Sequence, residues 1–163
     1  REQLYQIDGL IIPGGESTTI GKLLRRFEML EPLRALVRAG LPVFGTCAGM
    51  ILLADRILDA GEDQPSIGGM DIAVQRNAFG RQRESFETDL PVSALGERPM
   101  HAVFIRAPVI CDVGDDVDVL ARLPDGRPVA ARQGRMLVSS FHPELSGDDR
   151  FHRYFLEMSR TRV

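Results

Sequence analysis

In the first third of the chain, short apolar runs ending in glycine or proline alternate with stretches whose apolar residues recur every three or four positions. Gly9-Leu10-Ile11-Ile12, stopped by Pro13-Gly14-Gly15, reads as a buried strand entering a turn. Ile20, Leu23, Leu24, Phe27 and Leu30 then fall at helical spacing, with Ser17 or Thr18 placed to cap the first turn. A second helix is punctuated at both ends: Glu31 precedes it, Pro32 takes its first position and Gly40 lies just past its end. Leu33, Leu36 and Val37 form its apolar face. Leu41 to Thr46 is a second strand, and Cys47-Ala48-Gly49 leads into an apolar helix from Met50 to about Leu58.

Strand, helix, strand, helix implies parallel strands joined by right-handed crossovers, the α/β class. The second half reads differently. Ile72-Val74, Met100-Phe104, Val117-Val119, Val129-Ala131 and Met136-Val138 are short strands separated by turns, several of them pairing antiparallel. A last helix begins near Asp148-Asp149, where acids suit the N-terminus, with Phe151, Tyr154, Phe155 and Met158 as its buried stripe. No repeat or linker divides the sequence, so residues 1–163 are expected to form a single domain. The chain enters almost directly into a central-looking strand, so the expected sheet lacks its first strand and helix and the domain is N-terminally incomplete.

Composition narrows the class. The 163 residues carry 20 Lys plus Arg against 23 Asp plus Glu, a net charge of −3, and 44% are apolar. That length buries a core without disulfides or a structural metal. The mildly acidic balance gives no reason to expect nucleic acid or anionic lipid as partner. The longest uncharged stretch, Ala39 to Ala54, is broken by Gly40, Pro42, Gly45 and Gly49 and is too short to span a membrane. Arg1-Glu2-Gln3 leads into polar residues, not the apolar run of a signal peptide, and the expected location is cytoplasmic. Two cysteines and three histidines make neither a disulfide framework nor a metal-ligand cluster.

One cysteine stands apart. Gly45-Thr46-Cys47-Ala48-Gly49 sets it at a strand-to-helix turn with glycine two residues to either side, the G-x-nucleophile-x-G pattern of a nucleophile elbow. The start of the following helix favours a thiolate and offers N–H groups to an oxyanion. A nucleophile of this kind needs a base. His142 closes an apolar strand in Ser140-Phe141-His142-Pro143-Glu144, and in extended chain His142 and Glu144 share a face. Spacing alone fits equally an acid–base pair and a strand-end His-Pro turn with a solvated glutamate. His101, His152 and Cys111 read as packing or surface residues. Pro13-Gly14-Gly15-Glu16-Ser17 is a glycine turn able to present N–H groups to an anion, without the lysine of a phosphate-binding loop.

Five segments together resemble class I glutamine amidotransferases, and more closely the glutaminase subunit of pyridoxal 5′-phosphate synthase (the PdxT family). They are Pro13-Gly14-Gly15-Glu16-Ser17-Thr18-Thr19, Phe44-Gly45-Thr46-Cys47-Ala48-Gly49, Arg76-Asn77-Ala78-Phe79-Gly80-Arg81-Gln82, Phe104-Ile105-Arg106-Ala107-Pro108 and Ser140-Phe141-His142-Pro143-Glu144-Leu145. The resemblance implies a three-layer, flavodoxin-like α/β sheet, mostly parallel with antiparallel additions. It implies hydrolysis of L-glutamine to glutamate and ammonia by a Cys47-His142-Glu144 triad, with backbone oxyanion donors at Gly15 and Ala48. It places Gly15, Glu16, Ser17, Arg76, Ile105 and Arg106 against bound glutamine. An arginine suits the α-carboxylate and a glutamate the α-ammonium. The implied partner is a (β/α)8 synthase subunit in a hetero-oligomeric complex that receives the ammonia, with pyridoxal 5′-phosphate its product and no cofactor in this chain. The family's N-terminal strand and Gly-Leu-Gln-Gly segment have no counterpart here. The elbow and His142-Glu144 also fit other class I glutaminases, which the arginine-bearing segments disfavour. A redox protein with an oxidisable elbow cysteine leaves His142-Pro143-Glu144 unexplained. A non-catalytic binding module fits only if the site is disabled.

Overall fold

The computed structural model describes residues 2–61, 63–76 and 85–160. In chain order the strands are β1 (Leu10–Ile12), β2 (Val43–Thr46), β3 (Ala54–Ile57), β4 (Met70–Gln75), β5 (Ser85–Leu90), β6 (Met100–Ile105), β7 (Val109–Val113), β8 (Asp118–Arg122), β9 (Pro128–Gln133) and β10 (Met136–Ser139). The helices are α1 (Ser17–Arg26), α2 (Leu30–Arg38), α3 (Ala48–Leu53) and α4 (Arg150–Arg160).

Val43 and Phe44 are both fully buried. Neighbouring side chains of a strand point to opposite faces, so β2 must be covered on both sides. It lies within a five-stranded sheet of order β1-β2-β10-β9-β8. β1 and β10 flank β2 in parallel, with Val43 opposite Leu10 and Met136; β9 and β8 continue the sheet antiparallel. On one face Val43, Val138 and Ala131 pack with Leu33 and Val37 of α2, Met50 to Leu53 of α3, and a second sheet of order β3-β4-β7. On the other, Phe44, Leu137 and Ala130 meet Phe151, Phe155 and Met158 of α4 and the β5–β6 hairpin. The result is the expected three-layer α/β arrangement, its sheets mixed: among the described residues the parallel pairings are β1–β2, β2–β10 and β3–β4, and the other four are antiparallel.

A line of rings crosses the second face. Phe86 stacks on Phe104 at 4.5 Å, Phe104 meets Phe141 edge-on at 5.7 Å, and Phe141 meets Phe151 at 5.6 Å. Such contacts favour offset and edge-to-face geometry. They fix Phe141, and with it the direction in which the chain leaves β10 toward His142.

Several expectations are corrected. The first helix stops at Arg26; Phe27 is 61% exposed and Leu30 already begins α2. Its cap is Glu16, whose carboxylate accepts from the N–H groups of Thr18 and Thr19, not Ser17 or Thr18. Pro32 sits within the first turn of α2 but not at its first position, because that helix starts at Leu30. The helix after Cys47 ends at Leu53, and Ala54–Ile57 is a strand running parallel to β4. Pairing with distant chain overrides the local helical pattern there: Asp55 accepts the Gly69 N–H at 2.7 Å, and Arg56 binds Asp71 and Asp112. Strands β5 and β7 lie where none was expected, and β7 carries Cys111.

Candidate active site

The site forms where β1, β2 and β10 end, at the C-terminal edge of the parallel strands, the edge at which α/β sheets ordinarily bind ligands. Cys47 stands between β2 and α3 with φ 50° and ψ −105°, a left-handed conformation that costs a non-glycine residue about 1–3 kcal/mol. Its N–H is tied to the Ser139 carbonyl at 2.8 Å. The flanking glycines are there for space. A Cβ on Gly45 would come within 2.6 Å of the Gly49 carbonyl, and one on Gly49 would collide with the Ile12 carbonyl. The start of α3 can therefore lie directly on β1 and β2, with Cys47 at the turn between them.

The thiol is not tuned as expected. Burial pushes the Cys47 pKa up, the Ala48 N–H on the sulfur pulls it down, and the nearby Glu144 charge raises it again; the net shift is upward. Burial outweighs the single N–H offered by a six-residue helix. The shift works against a thiolate, so a base that takes the proton would assist any attack by this sulfur.

The base expected from the sequence, His142, lines the same cavity. The His142 N–H donates to Val103 O of β6 at 2.8 Å, which places the ring beside the cavity. His142 Nδ1 lies 2.7 Å from Glu144 Oε1. An ionised carboxylate only accepts, so in this contact Nδ1 carries a proton, and in a neutral imidazole Nε2 is then the acceptor. Glu144 itself is supplied by the 3-10 turn Pro143–Leu145 that follows at once. Gly14 closes the other side: a Cβ there would lie 2.5 Å from His142 Cε1, so only glycine lets the imidazole seat.

Cys47 and His142 line one cavity of about 450 Å³ together with Gly15, Glu16, Ser17, Arg76, Ile105 and Arg106. All six residues expected to touch a substrate are thus brought to the same space as the cysteine and the histidine. Ala48 lies behind, its N–H on the sulfur, and Glu144 behind the ring. Ile105 O is 4.0 Å from the sulfur. Arg106, with φ 44°, is a second strained residue at the rim. Both Glu16 oxygens are engaged in capping α1, at 3.1 Å from Thr18 N, 2.7 Å from Thr19 N and 2.8 Å from Thr19 Oγ1. Partial burial raises the Glu16 pKa, but these bonds prevail and hold it low. The carboxylate therefore shapes the Gly15-Glu16-Ser17 turn as well as facing the cavity.

Of the arginine-bearing segment only Arg76 is placed; Asn77 to Gln82 lies outside the described residues. Ile51, Gly14, Thr18, Gln64 and Asp59 were not anticipated. Ile51 lines the cavity, and the last three surround Arg76. A doubled glycine after β1 was a visible signal for Gly14, but only one of the pair, Gly15 with φ 142°, is explained by backbone conformation. The remaining candidates stay away from the cavity. His101 binds Glu87 and Asp89, His152 lies 5.8 Å from the Phe44 ring, and Cys111 is exposed on β7. Among the described residues no group of three or more His, Cys, Asp or Glu could hold a metal ion, and no helix is long and apolar enough to cross a membrane.

This fold, with its elbow cysteine and an imidazole lining one cavity at the sheet edge, is that of the glutamine amidotransferases. The chain superposes on a crystal structure of a glutamine amidotransferase with a TM-score of 0.91 and 54% identity, over 98% of this chain and 83% of that one. A glutamine amidotransferase from Thermotoga maritima, 11% identical, shares the fold alone at a TM-score of 0.56, over 90% of this chain and 60% of that one. More narrowly, the chain belongs to the SNO glutamine amidotransferase family, whose model matches residues 1–161. It is 62% identical to the pyridoxal 5′-phosphate synthase subunit PdxT of Parafrankia sp. (strain EAN1pec) over 161 residues, 99% of this chain and 79% of that protein. It is also 62% identical to the same subunit from Roseiflexus castenholzii (strain DSM 13941 / HLO8) over 157 residues, 96% of this chain and 83% of that protein.

Proposed function

We propose that this chain is the glutaminase subunit of a cytoplasmic pyridoxal 5′-phosphate synthase, releasing ammonia from L-glutamine for a (β/α)8 synthase subunit. The observation that carries the reading is the convergence of Cys47, His142 and Arg76 on one cavity, in a chain 62% identical to subunits of that name.

In the mechanism this supports, His142 Nε2 takes the Cys47 proton as the sulfur attacks the side-chain amide carbon. The carbonyl oxygen becomes an oxyanion held by backbone N–H groups at Gly15 and Ala48, the kind of preorganised donors that dominate acyl-transfer catalysis. The C–N bond then breaks, and His142 returns the proton so that nitrogen leaves as ammonia. A γ-glutamyl thioester remains on Cys47. Water attacks it, His142 takes the water's proton, the C–S bond breaks and the thiol is reprotonated as glutamate departs. Glu144 holds the imidazole tautomer and offsets the imidazolium formed in each half. Arg76 or Arg106 receives the α-carboxylate, while Glu16, kept ionised by its caps, faces the α-ammonium.

Glutamate release measured with the synthase subunit present tests this. Cys47→Ala is expected to remove all glutaminase turnover, and wild type is expected to form a hydroxylamine-trappable thioester. Full activity of the variant, or no glutamate from the wild-type complex, would overturn the proposal.

A further inference from the structure

Arg76 reaches the cavity from the end of β4, yet almost every part of its side chain is held from behind. Nη2 donates to Asp59 O at 2.8 Å, and Nε lies 3.5 Å from Asp59 Oδ1, which also accepts the Arg76 N–H at 3.1 Å. Nη1 lies 3.2 Å from Gln64 Oε1 and 3.3 Å from Thr18 Oγ1. The Thr18 hydroxyl donates to the same Gln64 oxygen at 2.5 Å, which leaves its own lone pairs for Nη1. Because arginine only donates, the amide oxygen of Gln64 must face it. The amide nitrogen then points to Pro65 O at 3.3 Å, an assignment that satisfies both ends. Nε is buried and makes no hydrogen bond among the described residues. The guanidinium is thus fixed by geometry it does not fully use, and Nη2 has one such acceptor for its two hydrogens.

We infer that Gln64 and Thr18 are positioning residues that aim the Arg76 guanidinium at the α-carboxylate of the substrate. The inference rests on the glutaminase reading above and extends it to side chains that do not line the cavity. Thr18 belongs to the first turn of α1, whose preceding residues Gly15 and Glu16 form the opposite wall. The Thr18–Gln64–Arg76 cluster therefore ties Arg76 to the first turn of α1, while the Glu16 cap holds the preceding turn on its own. Relaxing it should loosen glutamine binding while leaving the Cys47–His142 chemistry in place, which is the pattern of lost uniform binding.

The test uses the complex with its synthase subunit and two substrates: L-glutamine and 4-aminobutanamide, which keeps the amide and the amine but lacks the α-carboxylate. Thr18→Val and Gln64→Ala should each raise KM for glutamine about tenfold with kcat within about twofold, the loss expected for a hydrogen bond to a charged group. Thr18→Ser should restore the wild-type KM. The double variant should fall well short of the product of the two single effects, because both act through one guanidinium. None of these changes should alter kcat/KM for 4-aminobutanamide. Equal losses on both substrates, or a fall in kcat alone, would overturn the inference. Arg76→Ala separates it from the reading beneath: if that variant discriminates between the substrates and the Thr18 and Gln64 variants do not, only the positioning role fails. If Arg76→Ala treats both substrates alike, the carboxylate assignment itself fails.

Discussion

Two histidines in this molecule sit against carboxylates at nearly the same distance and differ in everything else. His142 Nδ1 is 2.7 Å from Glu144 and its ring, 13% exposed, looks into the cavity beside Cys47. His101 Nδ1 is 2.8 Å from Asp89, but its Nε2 is also taken, 3.0 Å from Glu87, and its ring is 45% exposed on the β5–β6 hairpin. Two acceptors on one ring require both nitrogens to carry protons, so His101 is an imidazolium clamp across a strand pair. His142 has a carboxylate on Nδ1 alone, so its neutral form keeps Nε2 as an acceptor on the cavity side. What distinguishes a general base from a cross-strand ion pair is the second nitrogen, not the presence of the carboxylate.

The sharpest way to break this comparison is to remove each ring. His142→Ala should lower kcat for glutamate release by roughly 10³-fold, within the range for loss of a general acid–base group. His101→Ala should leave kcat within about twofold, since neither the ring nor its partners reaches the cavity. A comparable loss from both would show that the hairpin, not the free nitrogen, governs the chemistry.

Next in size is the orienting carboxylate. Glu144→Gln keeps the shape but can present an N–H to Nδ1 and favour the wrong tautomer. It should cost about 10²-fold in kcat with KM nearly unchanged, less than loss of the ring itself. Gly14→Ala follows. Its methyl group would stand 2.5 Å from His142 Cε1, so the ring must swing away from Cys47. A loss of about tenfold in kcat is expected, since small misplacements are costly. The urea midpoint should move little, because Gly14 has ordinary backbone angles and lies at a half-exposed loop. A variant that unfolds in place of losing turnover would mean that Gly14 serves packing alone.

These contacts also mark how much was legible from residue order. The elbow could be read because its requirements are local: two glycines, a strand before and a helix after all fall within five residues. His142-Pro143-Glu144 was readable for the same reason. Arg76, Ile105 and Arg106 had no such local signature and were expected from resemblance alone; the fold brings them from the ends of β4 and β6 to the same cavity. Gly14 against His142 and Gln64 against Thr18 and Arg76 could not be seen, since each joins segments far apart in sequence. The fold divides along the same line. Covered strands β2 and β10 stood out as apolar runs, whereas β5 exposes alternate polar residues and β3 carries Asp55 and Arg56. Both look like loop or helix until a partner strand is found. Glu16 was expected at the substrate from the resemblance, and its second use as the cap of α1 depends on a turn geometry that composition does not record.

The smallest expected effect concerns the clamp and reads out in stability instead of turnover. Hydrogen bonds to the Asp89 and Glu87 carboxylates raise the His101 pKa above its ordinary value near 6.5. A group with a raised folded pKa contributes stability that is fully present below the unfolded value and fades as pH rises through the folded one. His101→Gln should therefore lower the urea midpoint most between about pH 5 and 6.5, where Asp89 and Glu87 are ionised and the imidazole is charged in both folded and unfolded chains. The gap between variant and wild type should close as pH climbs past the raised value. Exposure and screening keep the effect modest, and added salt should shrink it further. The same titration on His142→Gln gives the contrast: glutamate release collapses at every pH at which the complex is folded. If His101→Gln instead leaves a constant deficit up to high pH, the ring holds the hairpin by packing against β5 and not by its charge.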